Sequence, residues 1–108
     1  MEHWDLRQLE VAPHHPEVLS SHDEGRSVVL QLPAGERLQD HEVHERAFLV
    51  VIDGEIEISQ AGDGSLTGGP GLLVLFEPQE RREILATRDA LLLFVFAPWP
   101  GEGHPRNA

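Results

Sequence analysis

Within five residues, 41–45, the chain reads His-Glu-Val-His-Glu, and forty residues on Arg82 follows Arg81 among Glu77, Glu80 and Glu83. Two imidazoles and two carboxylates so close together could hold a metal ion or form a base with its orienting acid. The metallohydrolase signature HExxH sets its histidines four apart on one helix face. Here they are three apart and run into a strand-like segment, so that signature is not present. Holding Zn²⁺ takes three or four N/O donors at about 2.0 to 2.2 Å. His41 would therefore need His44, which strand alternation turns away unless a bulge brings it round, and then Glu45 or one of His14, His15 and His22. As a base, His41 with Glu42 or Glu45 lacks a phenolic acid partner, because the chain contains no tyrosine. Arg82 offers a different chemistry, since a guanidinium presents a fixed fork of donors suited to carboxylate or phosphate. Its competing reading is a surface cation in weak ion pairs with the neighbouring glutamates. Alternation along a short strand at Glu83–Ala86 points Arg82 inward instead, and on the sequence the two readings weigh about evenly.

The rest of the composition narrows the chemistry. Cysteine is absent, so disulfides, thiolate metal sites and thiol nucleophiles are excluded. All eight basic residues are arginine, which removes Schiff-base and lysine-nucleophile mechanisms. A formal charge of −11 repels nucleic-acid backbones and anionic lipid, so neither is an expected partner. The N-terminus has no apolar run of signal-peptide length, and no stretch of about 18 uncharged apolar residues occurs anywhere. The expected location is the cytoplasm.

The elements that position these residues read as strands. At 108 residues the chain suits one domain that buries roughly two thirds of its unfolded surface. Residues 1–26 hold Pro13, Pro16 and four of the histidines and read as an irregular arm with one short strand. From Ser27 the run SVVLQL is a strand stopped by Pro33 and Gly35. FLVVIDGEIEI reads as two strands joined by an Asp53-Gly54 hairpin turn. The glycine-rich stretch that follows, with Asp63, is turns around a strand at Leu66. LLVLF at 72–76, a short strand at 83–86, a turn at Arg88-Asp89 and LLLFVF at 91–96 complete the set. Strands every ten or so residues with turns between them predict an antiparallel sandwich or small barrel. The continuous apolar runs at 48–52, 72–76 and 91–96 predict strands covered on both faces, the second cover being another subunit. Trp99, Phe94 and Phe96 either line a cavity or fill the core.

Gly35, five residues, His41, and then Gly54 reproduce the landmarks of a glycine, His-x-His, glutamate, glycine motif. Gly71, the LLVLF strand, the Glu-Pro-Gln turn and the RREILA segment follow the outline of a second. On these residues the chain resembles the small single-domain cupins, the conserved β-barrel superfamily, over about residues 27–97. The resemblance implies an all-β jelly-roll barrel of two packed antiparallel sheets, with 1–26 as arm and 98–108 as tail. It also implies where metal ligands would stand. Val43 occupies the second histidine's place, Ala47 the glutamate's, Leu72 the aspartate's and Arg82 the fourth ligand's histidine. Of the four ligands, His41 alone is in register.

The expected function is thus a metal-free module that binds a small molecule or anion, with His41 and Arg82 at the mouth of a barrel lined by Val43, Ala47 and Leu49. The alternative is a metal-dependent dioxygenase or isomerase with one Zn, Fe, Mn or Ni ion on His41, His44 and a further ligand. A third reading is a structural or regulatory partner protein whose barrel is filled by side chains. A homodimer is expected in each case.

Overall fold

The structure, a computed structural model, describes residues 1–41, 45–60 and 64–97, the side chains of 40 and 41 excepted. A 3₁₀ turn at Leu6–Gln8 precedes seven strands: β1 (Glu17–His22), β2 (Gly25–Leu32), β3 (Arg37–His41), β4 (Arg46–Gln60), β5 (Gly64–Gly68), β6 (Leu73–Phe76) and β7 (Arg82–Ala97). All pairings between strands are antiparallel.

Two of these strands are far longer than the sequence predicts. The Asp53-Gly54 pair is not a hairpin and Arg88-Asp89 is not a turn; β4 and β7 run straight through both places, paired with each other from Arg46↔Ala97 to Ser59↔Glu83. Register shifts between Val51 and Ile56 bend the two strands together. Each long strand therefore serves two sheets. Residues 90–97 of β7 and 46–51 of β4 lie between β2 and β6, giving the order β1-β2-β7-β4-β6. The other halves, 82–86 and 56–60, lie between β3 and β5, giving β3-β7-β4-β5. The result is an all-β jelly roll of two sheets that fold back on each other about one shared bend.

Gly54 makes that bend possible. Its φ is +84°, and a side chain there would put Cβ 2.6 Å from Ala90 Cα and closer still to the Asp89 carbonyl oxygen. A residue chosen by sequence logic for a tight turn is used for a close backbone crossing. Two turns brace the bend from outside. Gly35 N–H donates to Ala86 O at 2.8 Å and Ala86 N–H to Glu36 O at 2.9 Å, while Gly71 N–H donates to Val51 O at 2.8 Å and Val51 N–H to Leu72 O at 2.9 Å. The two motif glycines thus fasten β7 at Ala86 and β4 at Val51, on opposite sides of the bend.

Alternation places the core between the sheets. Val28, Leu30 and Leu32 on β2 face Leu49, Ile56 and Ile84, and the cluster they form fills the barrel. The segment read as an arm contributes β1, hairpinned to β2, and continues along β2 through a Pro13–Gln31 bridge and the His14 N–H to Gln31 O bond of 3.0 Å. Within the single chain strand β6 is covered on its inner face, and its outward residues Leu73 and Leu75 are 60% and 45% exposed.

Candidate functional site at the barrel mouth

The two sheets part at the end away from the bend, where β2 and β6 bring Arg26 and Phe76, β4 brings Ala47, and β7 brings both Arg82 and Phe96. Strand parity sends all five side chains inward, because they share faces with the core residues Val28, Leu49, Ile84 and Phe94. Arg82 is 2% exposed and is the buried charged residue among those described. Its backbone sits opposite His41 of β3, and its guanidinium carbon lies 4.6 Å from the centre of the Phe76 ring. Cation–π contact offsets part of what burying a cation costs. Among the described residues Arg82 Nε is a buried nitrogen without a hydrogen-bond acceptor, although the residue makes other interactions.

A second arginine mirrors the first. Arg26 stacks 4.3 Å over the Phe96 ring, which is itself stacked on Phe94 at 6.0 Å, and holds Glu45 with two bonds, Nε to Oε2 at 3.1 Å and Nη2 to Oε1 at 3.0 Å. Ala47, between Phe76 and Phe96 in the ladder, leaves room for both rings. A cavity of about 160 Å³ opens beside the mouth between β5 and β6, walled by Phe76, Val74, Leu66, Ile58, Gln60 and Glu80. Gln60 Nε2 donates to Glu80 Oε2 across it at 2.7 Å.

The sequence-predicted residues divide in three. Arg82 is inward as alternation requires, and each neighbouring glutamate has a described partner. Glu77 binds Arg46 at 3.0 Å, Glu83 binds Arg37 at 2.8 Å, and Glu80 accepts from Gln60 and from the Glu77 N–H. Ala47 and Leu49 face the barrel interior and are fully buried in its packed core. Phe94 and Phe96 are likewise core. Val43, His44, Glu42, Asp63 and Trp99, with the His41 side chain, lie outside the described residues. Arg26 and Phe76 were missed. Parity along SVVLQL and LLVLF marks their faces, but nothing local joins Arg26 to Glu45, nineteen residues away.

The donors in view do not fit a divalent cation. Ala47 has no donor and Arg82 is itself a permanent cation at the places where the resemblance puts ligands. Glu45 is neutralised by Arg26. His14, from the arm, pairs with Glu36 at 2.8 Å near the bend, at the other end of the barrel, and His22 is exposed at the β1–β2 turn. Among the described residues no three His, Asp or Glu converge, and no helix is long and apolar enough to cross a membrane.

Neither a protein-family model nor a curated protein sequence matches the chain. Solved structures do. An RmlC-like cupin protein from Desulfovibrio desulfuricans superposes with a TM-score of 0.77 at 20% identity, over 90% of this chain and 95% of that one. A cupin superfamily protein from Desulfitobacterium hafniense gives 0.75 at 14% identity, over 85% of each chain. The DMSP lyase DddQ from Ruegeria pomeroyi gives 0.72 at 18% identity, over 82% of this chain and 47% of the lyase. With the shared bend, the doubled long strands and the mouth opposite them, these likenesses make the chain a small cupin-fold domain.

Proposed function

We propose that this domain is a metal-free binding module whose ligand is a small anion held by Arg82 at the barrel mouth. One observation carries the reading: a guanidinium, buried and inward-facing, stands where the resemblance places a metal-ligating histidine. A fork of donors in a low-dielectric setting recognises a carboxylate or phosphate more strongly than the same group in water. Phe76 separates Arg82 from the neighbouring cavity, and a turn of that ring would join the two. The volume of about 160 Å³ suits a ligand of a few heavy atoms, below the usual range for drug-sized ligands. The chain's −11 charge slows the approach of any anion and so favours small, singly charged ones.

Calorimetry against a panel of small carboxylates and sugar phosphates tests this, with Arg82→Ala and the volume-keeping Arg82→Met beside the parent. Binding by the parent that both variants lose is the expected result. Equal binding by a folded variant, or none by the parent, overturns it, the latter in favour of a filled, structural barrel. Metal content by plasma mass spectrometry on untagged protein decides the alternative. One ion per chain that disappears in His41→Ala would mean a metal-dependent enzyme and a different ligand register.

A further inference from the structure

The cavity beside the barrel mouth is a gap between two edge strands. Leu66 occupies an inward place on β5, opposite Ile58, yet stays 47% exposed, so the sheets do not close on each other between β5 and β6. Ile58, Val74 and Leu66 form the apolar side of the gap, and Gln60 and Glu80 its polar end. That end is anionic. Glu80 is half-buried, and its carboxylate accepts from Gln60 Nε2 at 2.7 Å and from the Glu77 N–H at 2.6 Å. A carboxylate has about four lone-pair sites, so these bonds orient it and leave capacity for a further donor.

A turn over residues 77–80 carries Glu80 to the gap. Glu80 N–H donates to Glu77 O at 3.1 Å, Pro78 fixes the first corner, and Gln79 holds a left-handed φ of 68°, a conformation that glycine or asparagine usually supplies. Strained backbone of this kind gathers at ligand clamps. Phe76 precedes the turn and Arg82 follows it, so one short segment joins ring, carboxylate and guanidinium. Burial runs half-buried, exposed, buried through Glu80, Arg81 and Arg82, which sets the anion and the buried cation on the same side of the segment.

We infer that the ligand is a small aliphatic α-amino acid in its zwitterionic form, with its carboxylate on Arg82, its ammonium on Glu80 and its side chain against Leu66 and Val74. The inference rests on the anion site proposed above and narrows it. An ammonium fills the open acceptor sites of Glu80, whereas a plain carboxylate would bring a second anion beside that one where screening is weak. Cα atoms of residues two apart are at most about 7 Å from each other, which suits opposite charges carried on one carbon of the ligand. Net charge agrees. A zwitterion has none, so the field of a −11 protein does not oppose its approach. The volume of about 160 Å³ admits a short side chain such as that of alanine.

Calorimetry on the full chain compares L-alanine with propionate, which is alanine without its amine, and with ethylamine, which is alanine without its carboxylate. The parent is expected to bind alanine roughly 10- to 100-fold more tightly than either, the worth of one charge-assisted hydrogen bond. Glu80→Gln keeps an acceptor for the Glu77 N–H and removes the charge; it should bring alanine down to the level of propionate and leave propionate no weaker. Should that variant fail to fold, the three ligands on the parent decide. Propionate bound as tightly as alanine, or alanine bound equally by the parent and a folded Glu80→Gln, overturns the amino-acid inference and leaves the anion site standing. Alanine bound equally by Arg82→Met overturns the anion site and this inference with it. Alanine that the parent does not bind overturns the inference whatever propionate does.

Discussion

Replacing Gly54 by alanine tests the idea that one close crossing holds both sheets. Two costs combine. The φ of +84° is left-handed, which is worth roughly 1 to 2 kcal/mol against an L-residue. The added Cβ would also stand 2.6 Å from Ala90 Cα and nearer still to Asp89 O, both backbone atoms, so no side chain can swing clear. Separating β4 from β7 there strains two or so backbone hydrogen bonds at about 1 kcal/mol each. The sum is about 3 to 4 kcal/mol, a large share of a small domain's stability of about 5 to 15 kcal/mol. At about 4 °C per kcal/mol for a chain of this size, the melting temperature should fall by roughly 12 to 16 °C. Gly35→Ala is the control, because its φ is +86° yet nothing lies within 4 Å of the new Cβ. It should cost the conformational part alone, about 1 to 2 kcal/mol. Urea titrations of parent and both variants give the difference. If Gly54→Ala and Gly35→Ala lose the same stability, the crossing is not a constraint and the account of the bend is wrong.

Two further substitutions probe the interior and its mouth. Ile84→Ala, at a fully buried position between Leu38 and Ile58 in the ladder, should cost about 2 to 5 kcal/mol in urea titration, and a loss under about 1 kcal/mol would mean that the barrel is not packed there. Arg26→Ala removes a half-exposed ion pair and a stacked guanidinium, so about 1 to 2 kcal/mol is expected, with a small salt-sensitive share; a loss above about 3 kcal/mol would show the pair to be far better desolvated than its geometry implies.

What the sequence disclosed follows a physical line. Alternation back from Ile84 and Ala86 pointed Arg82 inward without deciding it, and Gly35 and Gly71 marked the turns that fasten the long strands. Both signals are local, and local signals survive translation into structure. Asp53-Gly54 failed for the complementary reason. A glycine with positive φ serves a hairpin and a crossing equally well, and what decides between them is the backbone of Asp89, thirty-five residues away. Arg88-Asp89 misled in the same way, since polar residues between apolar runs mark a solvent-exposed bend as readily as a turn. Ala47 and Leu49 were placed on the correct face, yet whether an inward residue borders space or other side chains depends on the volumes of Phe76 and Phe96, contributed from strands far along the chain.

The doubled role of β7 has a consequence for how the molecule is made. This strand touches β2, β3 and β4, and it follows all three in the chain. During synthesis the inner faces of β2 and β4 leave the ribosome before the strand that separates them exists, and β2 must stay unpaired on that side until residues roughly sixty positions later arrive. Such non-local closure makes folding slow and exposes apolar strands to one another in the meantime. Nascent chains halted before residue 82 should therefore be aggregation-prone, and those extended past residue 97 protected, with native structure gained at the hub strand's emergence and not gradually along the chain.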